Sequence, residues 1–191
     1  MKTLRILLVC IMIYSTVCNT PKRQYVIQAD LFGGFSSPSL SIYDQTGKHL
    51  KFRLKSQFVL LHSVQLVTHP EKTLIGKLKA KMKPFVYAAT FSVYDNRTKQ
   101  WRDGVINQKF QMLGFNWTIE WHHHKLSMEA KLGSSSTKFY DTQGNHRLLA
   151  EFQLRSRWSF RTKYDMEIYS DEIPDSLYFL CLAVRHVVKR S

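Results

Sequence analysis

Between Tyr25 and Tyr169 the chain alternates apolar and polar residues, and near its end the alternation stops. Lys77, Lys79, Lys81 and Lys83 fall on one side of an extended segment, with Leu78, Ala80 and Met82 on the other. Lys51, Arg53 and Lys55 oppose Phe52 and Leu54 in the same way, and Arg155 and Arg157 oppose Leu154 and Ser156. A period of two is the signature of a strand with one buried face. Leu177 to Val184, by contrast, is one unbroken apolar run. Pro174 suits the first turn of a helix, where its missing N–H costs nothing. Asp171, Glu172 and Asp175 gather at that start, and Arg185, His186, Lys189 and Arg190 at the far end, the order that the helix dipole favours. The pattern predicts a helix over about 174–188, roughly 22 Å long and so short of a ~30 Å hydrocarbon layer. A helix apolar on every side has to be surrounded. The predicted fold is mainly β (α+β), a single antiparallel β-barrel enclosing a hydrophobic C-terminal helix.

Turn chemistry divides the strands. Gly33 to Pro38 reads as a loop. Tyr43-Asp44, Tyr94-Asp95 and Tyr140-Asp141 each end an alternating run before a short polar stretch, so the three aspartates read as turn formers and not as catalytic acids. A longer similarity relates Leu74–Asp95 to Leu148–Tyr169, each an alternating strand, a break at Pro84 or at Trp158-Ser159, and a second alternating strand. The period is about 75 residues, which suits two similar halves of one barrel better than a solenoid.

The chain has 191 residues, enough for one domain with a real core, and 44% hydrophobic residues argue against disorder. It is strongly basic, with 28 Lys and Arg against 14 Asp and Glu. That balance suits a partner of negative charge, such as lipid headgroups, glycosaminoglycan or nucleic acid, or it simply solvates the outside of a barrel. Lys2 and Arg5 precede the apolar stretch Ile6–Tyr14 and the small residues Ser15–Thr20, the layout of a signal peptide over residues 1–18 with cleavage near Asn19. Residues 19–24 then read as a linker and 25–191 as the barrel domain. An uncleaved leader acting as a membrane anchor is the alternative. Cys10 and Cys18 lie in the leader, which leaves Cys181, a small buried hydrophobe within the helix.

Little in the chain looks like chemistry. His122-His123-His124 follow Glu120-Trp121 on a strand-like stretch, where at most His122 and His124 share a side. Zinc needs three or four convergent ligands, so no metal site and no cofactor is expected. No nucleophile elbow, paired-carboxylate site or dinucleotide fingerprint is present, and no catalytic residue is nominated. Two N-x-Thr sequons begin at Asn96 and Asn116 and matter only if the chain is secreted.

The order of these segments resembles LURP-one-related proteins. Ser41-Ile-Tyr-Asp-Gln-Thr-Gly-Lys-His-Leu50 resembles their x-V-x-D-x-x-G hairpin. Lys77–Met82 followed by Phe91–Asp95 resembles their middle strands, and Tyr164–Tyr169 with the acid-led helix to Val188 resembles their ending. The resemblance spans Ser39 to Val188. That family is similar in fold to the Tubby C-terminal domain and the phospholipid scramblases, so it implies a twelve-stranded barrel around a hydrophobic C-terminal helix. Tubby-type domains bind phosphoinositides through basic surface residues, and no individual contact residue carries over to a position here. Scramblases move lipids with calcium involved, but their cysteine-rich and acidic calcium-binding stretches have no counterpart in this chain. LURP-one-related proteins are mostly intracellular, and the leader departs from that pattern.

The functional expectation is a secreted, non-enzymatic binding module that engages anionic membrane lipids or another polyanion. The candidate anion-binding residues are Lys51, Arg53, Lys55, Lys77, Lys79, Lys81, Lys83, Arg155 and Arg157. Secretion disfavours nucleic acid as the partner, and a monomer is expected. The alternatives are a scramblase-like membrane-active protein and a structural or interaction protein whose positive charge is incidental.

Overall fold

Twelve strands follow one another in an unbroken antiparallel meander, and the first closes on the last. They are β1 (Arg23–Ala29), β2 (Ser39–Asp44), β3 (Leu50–Val59), β4 (Leu61–Thr68), β5 (Leu74–Lys83) and β6 (Val86–Asp95). The second half comprises β7 (Gln100–Lys109), β8 (Gly114–Trp121), β9 (His124–Lys131), β10 (Ser136–Asp141), β11 (Leu148–Ser156) and β12 (Lys163–Ile168). Each strand pairs with its sequence neighbours, and β1 also pairs with β12, which makes a closed barrel without free edges. The computed structural model describes residues 20–29, 39–59, 61–83, 86–109, 114–156 and 162–188, without the side chains of 57–59, 61–62, 81–83, 86, 156 and 186–188. The leader, the Gly33–Pro38 loop, both strand breaks at Pro84 and Trp158-Ser159, and Lys189 and Arg190 lie outside the described residues.

The helix α1 (Asp175–Val188) runs inside the barrel. Leu177 to Val184 are all buried, as a helix apolar on every side requires. Its side chains meet the wall in several directions. Tyr178 packs edge-on against Phe139 of β10, with ring centroids 5.0 Å apart. Phe179 meets Tyr25 of β1 at 5.1 Å and Phe52 of β3 at 5.4 Å. Leu180 faces Gly76 of β5, where an added Cβ would lie 3.2 Å from Leu180 Cδ1 and 3.3 Å from Leu66 Cβ. Gly76 therefore sets how near the helix approaches the β4–β5 wall. The inward residues of the strands, among them Ile27, Ile42, Leu54, Leu66, Leu78, Ile106, Trp117, Met128, Phe152 and Met166, complete one core.

The acids at the start of the helix do more than complement its dipole. Arg23 Nε lies 2.9 Å from Asp175 Oδ2, Tyr25 donates its hydroxyl to the same carboxylate at 2.6 Å, and Arg23 also bonds Asp171 and the Ser170 carbonyl. Glu172 is held by Arg147 at 2.7 Å, and its carbonyl accepts from Arg97. The segment from Ser170 to Pro174 is thus tied to β1, to the β6–β7 turn and to the β10–β11 turn, and it closes one mouth of the barrel. This explains why β1 begins at Arg23, two residues inside the expected linker. Lys22 and Arg23 are recruited to the strand edge by these acids, with Lys22 N–H bonded to the Ile168 carbonyl at 2.8 Å.

The repeats have a geometric meaning. The Tyr-Asp pairs end β2, β6 and β10, four strands apart in a ring of twelve, so the three turns sit at thirds of one rim. Each aspartate accepts hydrogen bonds from its own turn: Asp44 from the Thr46 hydroxyl at 2.7 Å, Asp95 from the Arg97 N–H at 3.0 Å, and Asp141 from the Gln143 N–H at 2.9 Å. The longer similarity maps β5–β6 onto β11–β12, six strands away and so half a turn around the barrel.

Candidate functional site

Alternation puts Phe52 and Leu54 inside the barrel and Lys51, Arg53 and Lys55 outside on β3, all three exposed. On β5 it puts Leu78 and Ala80 inside and Lys77 and Lys79 outside, again exposed. One strand separates the two sets, and the register brings them side by side. Gln65 of β4 lies opposite Lys55 on one flank and opposite Lys77 on the other. At a strand spacing of about 4.8 Å, Lys55 and Lys77 start roughly 10 Å apart. Within each strand alternate residues are spaced by roughly 7 Å. The backbones of Lys81 and Lys83 continue β5 in the same register, and their side chains lie outside the described residues.

These five cations stand side by side, and none has a carboxylate partner among the described residues. Among the described residues none of Lys51, Arg53, Lys55, Lys77 and Lys79 forms an ion pair, whereas Lys22, Arg23, Arg97, Arg102, Lys125, Lys138, Arg147 and Arg155 all do. Lys77 has a neighbour of another kind, its ammonium lying 5.7 Å from the centre of the Trp101 ring. That is cation–π range, and it steadies the lysine without neutralising it. Trp101 is 45% exposed and packs edge-on against Tyr94, its partner across the β6–β7 hairpin.

Arg155 does not belong to this face. It projects from β11, four strands from β3 in one direction and six from β5 in the other. It is also committed to Asp165 of β12, 2.8 Å away. Arg157 lies outside the described residues. The side of the barrel opposite β4 is centred on β10, where Lys138 stands between Glu129 and Glu151 in register, with Glu167 beyond Glu151. Lys48, Lys72, Lys99, Lys109, Lys131 and Lys163 are also without an ion pair among the described residues, at turns and on other strands, whereas β3 and β5 bring five such cations side by side.

Next to the basic face the outer surface dips into a trough of about 620 Å³. Two cross-strand rows build it. One runs from Lys77 to Ser92 and Asp103 and on to His122, the other from Lys79 to Thr90, Val105 and Glu120. Thr90 and Ser92 of β6 and Val105 of β7 form its floor, with Lys77 and Lys79 of β5 on one side and Asp103 of β7 and Glu120 of β8 on the other. The Ser92 hydroxyl donates to Asp103. Beneath the floor Gly104 is required, because a Cβ there would meet Phe91 Cζ at 2.3 Å and the Glu120 carbonyl oxygen at 2.6 Å. The trough was not legible in the sequence. Its polar residues share outward parity on their strands, but only the register shows that they stand in line.

Within the histidine triplet, His122 and His123 form a hairpin turn and His124 opens β9. Trp121 and His124 pair across it, and His122 adopts a φ of 53°, the left-handed geometry that a two-residue hairpin loop demands. Arg102 donates to His122 Nδ1 at 3.0 Å. Desolvation, then the Arg102 charge, lowers the His122 pKa. Among the described residues no group of three His, Cys, Asp or Glu could hold a metal ion. Asn96 is exposed on the β6–β7 turn, and Asn116 is half-buried on β8. Cys181 is buried, and burial pushes its thiol pKa up. Among the described residues no helix is long and apolar enough to cross a membrane.

No protein-family model matches the chain, and no curated protein or solved structure matches it either.

Proposed function

We propose that this protein is a non-enzymatic binding module that holds anionic lipid headgroups or another polyanion on the outer face of β3 and β5. The observation that carries this reading is the set of five exposed cations brought side by side on two strands flanking Gln65, none of them ion-paired among the described residues. Unpaired like charges at this spacing repel one another, and a bound anion relieves that repulsion. Incidental positive charge has no reason to set five unpaired cations side by side on two strands.

The resemblance to LURP-one-related and Tubby-like proteins adds support, since a closed barrel of twelve strands around a C-terminal helix is what it implies. A leader over residues 1–18 would take the chain out of the cytosol. The anions it meets would then be extracellular polyanions and outer-surface headgroups, and Asn96 would be an accessible glycan acceptor.

The reading is tested with the full chain, vesicles of phosphatidylserine in phosphatidylcholine, vesicles of phosphatidylcholine alone, and inorganic polyphosphate. Binding to at least one anionic probe, weakening steeply as the Debye length shrinks from about 30 Å at 0.01 M salt to about 8 Å at 0.15 M, is expected. No binding to either anionic probe at low salt, or equal binding to the neutral vesicles, would overturn it.

A further inference from the structure

A surface built only for anions would exclude carboxylates, and the trough beside the basic face does not. Asp103 and Glu120 stand in the same two rows as Lys77 and Lys79, across a floor of Ser92, Thr90 and Val105. They lower the attraction that the lysines exert on any simple anion. Neither acid compensates those lysines: Asp103 accepts from Ser92, and Glu120 faces Lys125 of β9 at 3.6 Å. We infer that the trough takes an acidic saccharide, with sulfate or carboxylate groups on the lysine wall and ring hydroxyls on the carboxylate wall. This rests on the anion-binding reading above and names the ligand class for the same face.

The chemistry of each part fits that class. A carboxylate is the strongest uncharged-donor acceptor a protein offers, and hydroxyl groups are donors that phosphate diesters and polyphosphate chains lack. Lysine ammonium groups, as point charges with rotatable donors, accommodate sulfates or carboxylates at varied positions. The floor is mixed: the Ser92 and Thr90 hydroxyls lie beside the Val105 side chain and above Phe91, matching a sugar ring with apolar C–H faces and a polar rim. The volume, about 620 Å³, lies within the range of small-ligand sites. From the trough the cation array continues across Gln65 to Lys55 and Arg53, so a longer chain has further charges to follow.

The test uses two polyanions on the same protein: a sulfated tetrasaccharide and inorganic polyphosphate. Glu120→Ala and Asp103→Ala each remove one negative charge beside the lysines. For polyphosphate, both substitutions must leave binding unchanged or tighten it, because a repulsion has gone. For the sulfated tetrasaccharide, both must weaken it, by roughly tenfold for Glu120→Ala, because an acceptor for hydroxyl donors has gone. Weakening for the saccharide alone supports the inference, and retained polyphosphate binding shows that the variants are folded. Tightening or no change for both ligands overturns the saccharide assignment and leaves the anion reading standing. Failure of the unsubstituted chain to bind either ligand overturns both.

Discussion

Arg23 and Asp175 are 152 positions apart in sequence and share a two-pronged contact, with Nε 3.0 Å from Oδ1 and 2.9 Å from Oδ2. The pair joins the first residue of the first strand to the first turn of the only helix among the described residues. Tyr25 adds a third bond to the same carboxylate. Asp175→Ala leaves the guanidinium and the phenol without their acceptor in a partly desolvated site. The expected loss is about 1–3 kcal/mol of unfolding free energy by denaturant titration. Asp175→Asn, which keeps an acceptor, is expected to lose less. Equal losses would show that charge alone matters at this position.

Gly104 is a position where volume decides the outcome. A Cβ would stand 2.3 Å from Phe91 Cζ and 2.6 Å from the Glu120 carbonyl oxygen. The phenyl ring can shift, but the backbone of β8 cannot move without breaking its ladder. Gly104→Ala is expected to cost about 3 kcal/mol or more, at the upper end for overpacking. Adding Phe91→Leu should recover part of that loss and not all of it, as read from the thermal midpoint.

Asp171 links stability to pH. Hydrogen bonds from Lys22 and Arg23, reinforced by their charges, hold its carboxyl below the usual value of 3.8. A depressed native pKa contributes stability that is fully present above the unfolded value and is lost as pH falls through the native one. The stabilisation should therefore persist at pH 5, begin to fall near the unfolded value of 3.8 and vanish only below the depressed native value. Asp171→Asn should flatten the acid limb of a stability-versus-pH curve while leaving its neutral plateau lowered. A variant that parallels the wild type over that limb would show that Asp171 plays no part.

Cys181 should be chemically silent in the native state. It sits within the enclosed helix, and burial drives its thiol pKa upward, which leaves almost no thiolate at pH 8. Mass spectrometry after iodoacetamide treatment should find it unmodified in the folded protein and alkylated in denaturant. Rapid labelling under native conditions would mean that the helix leaves the barrel.

The barrel and its helix were legible because both rest on periodicity. The period-two faces around Leu54 and Leu78 and the unbroken run from Leu177 to Val184 each dictate burial directly. The basic strand faces were legible for the same reason. What periodicity cannot supply is register and position around the ring. Arg155 has the same alternation as Arg53 but stands across the barrel, beside Asp165. Asp103 and Glu120 gave no signal, because their place opposite the lysines depends on three strand pairings. The turn at His122-His123 was hidden because histidine there takes a left-handed conformation that glycine or asparagine more often marks.

The central claim is about location, so its most direct test holds net charge constant. Polyphosphate affinity is measured against salt concentration for the wild type, Lys77→Glu and Arg155→Glu, the last two having the same net charge. Lys77→Glu should weaken binding at low salt by on the order of tenfold and lower the salt dependence, while Arg155→Glu stays near the wild type. Equal losses from the two substitutions would contradict a dedicated face on β3 and β5 and leave only the overall positive charge.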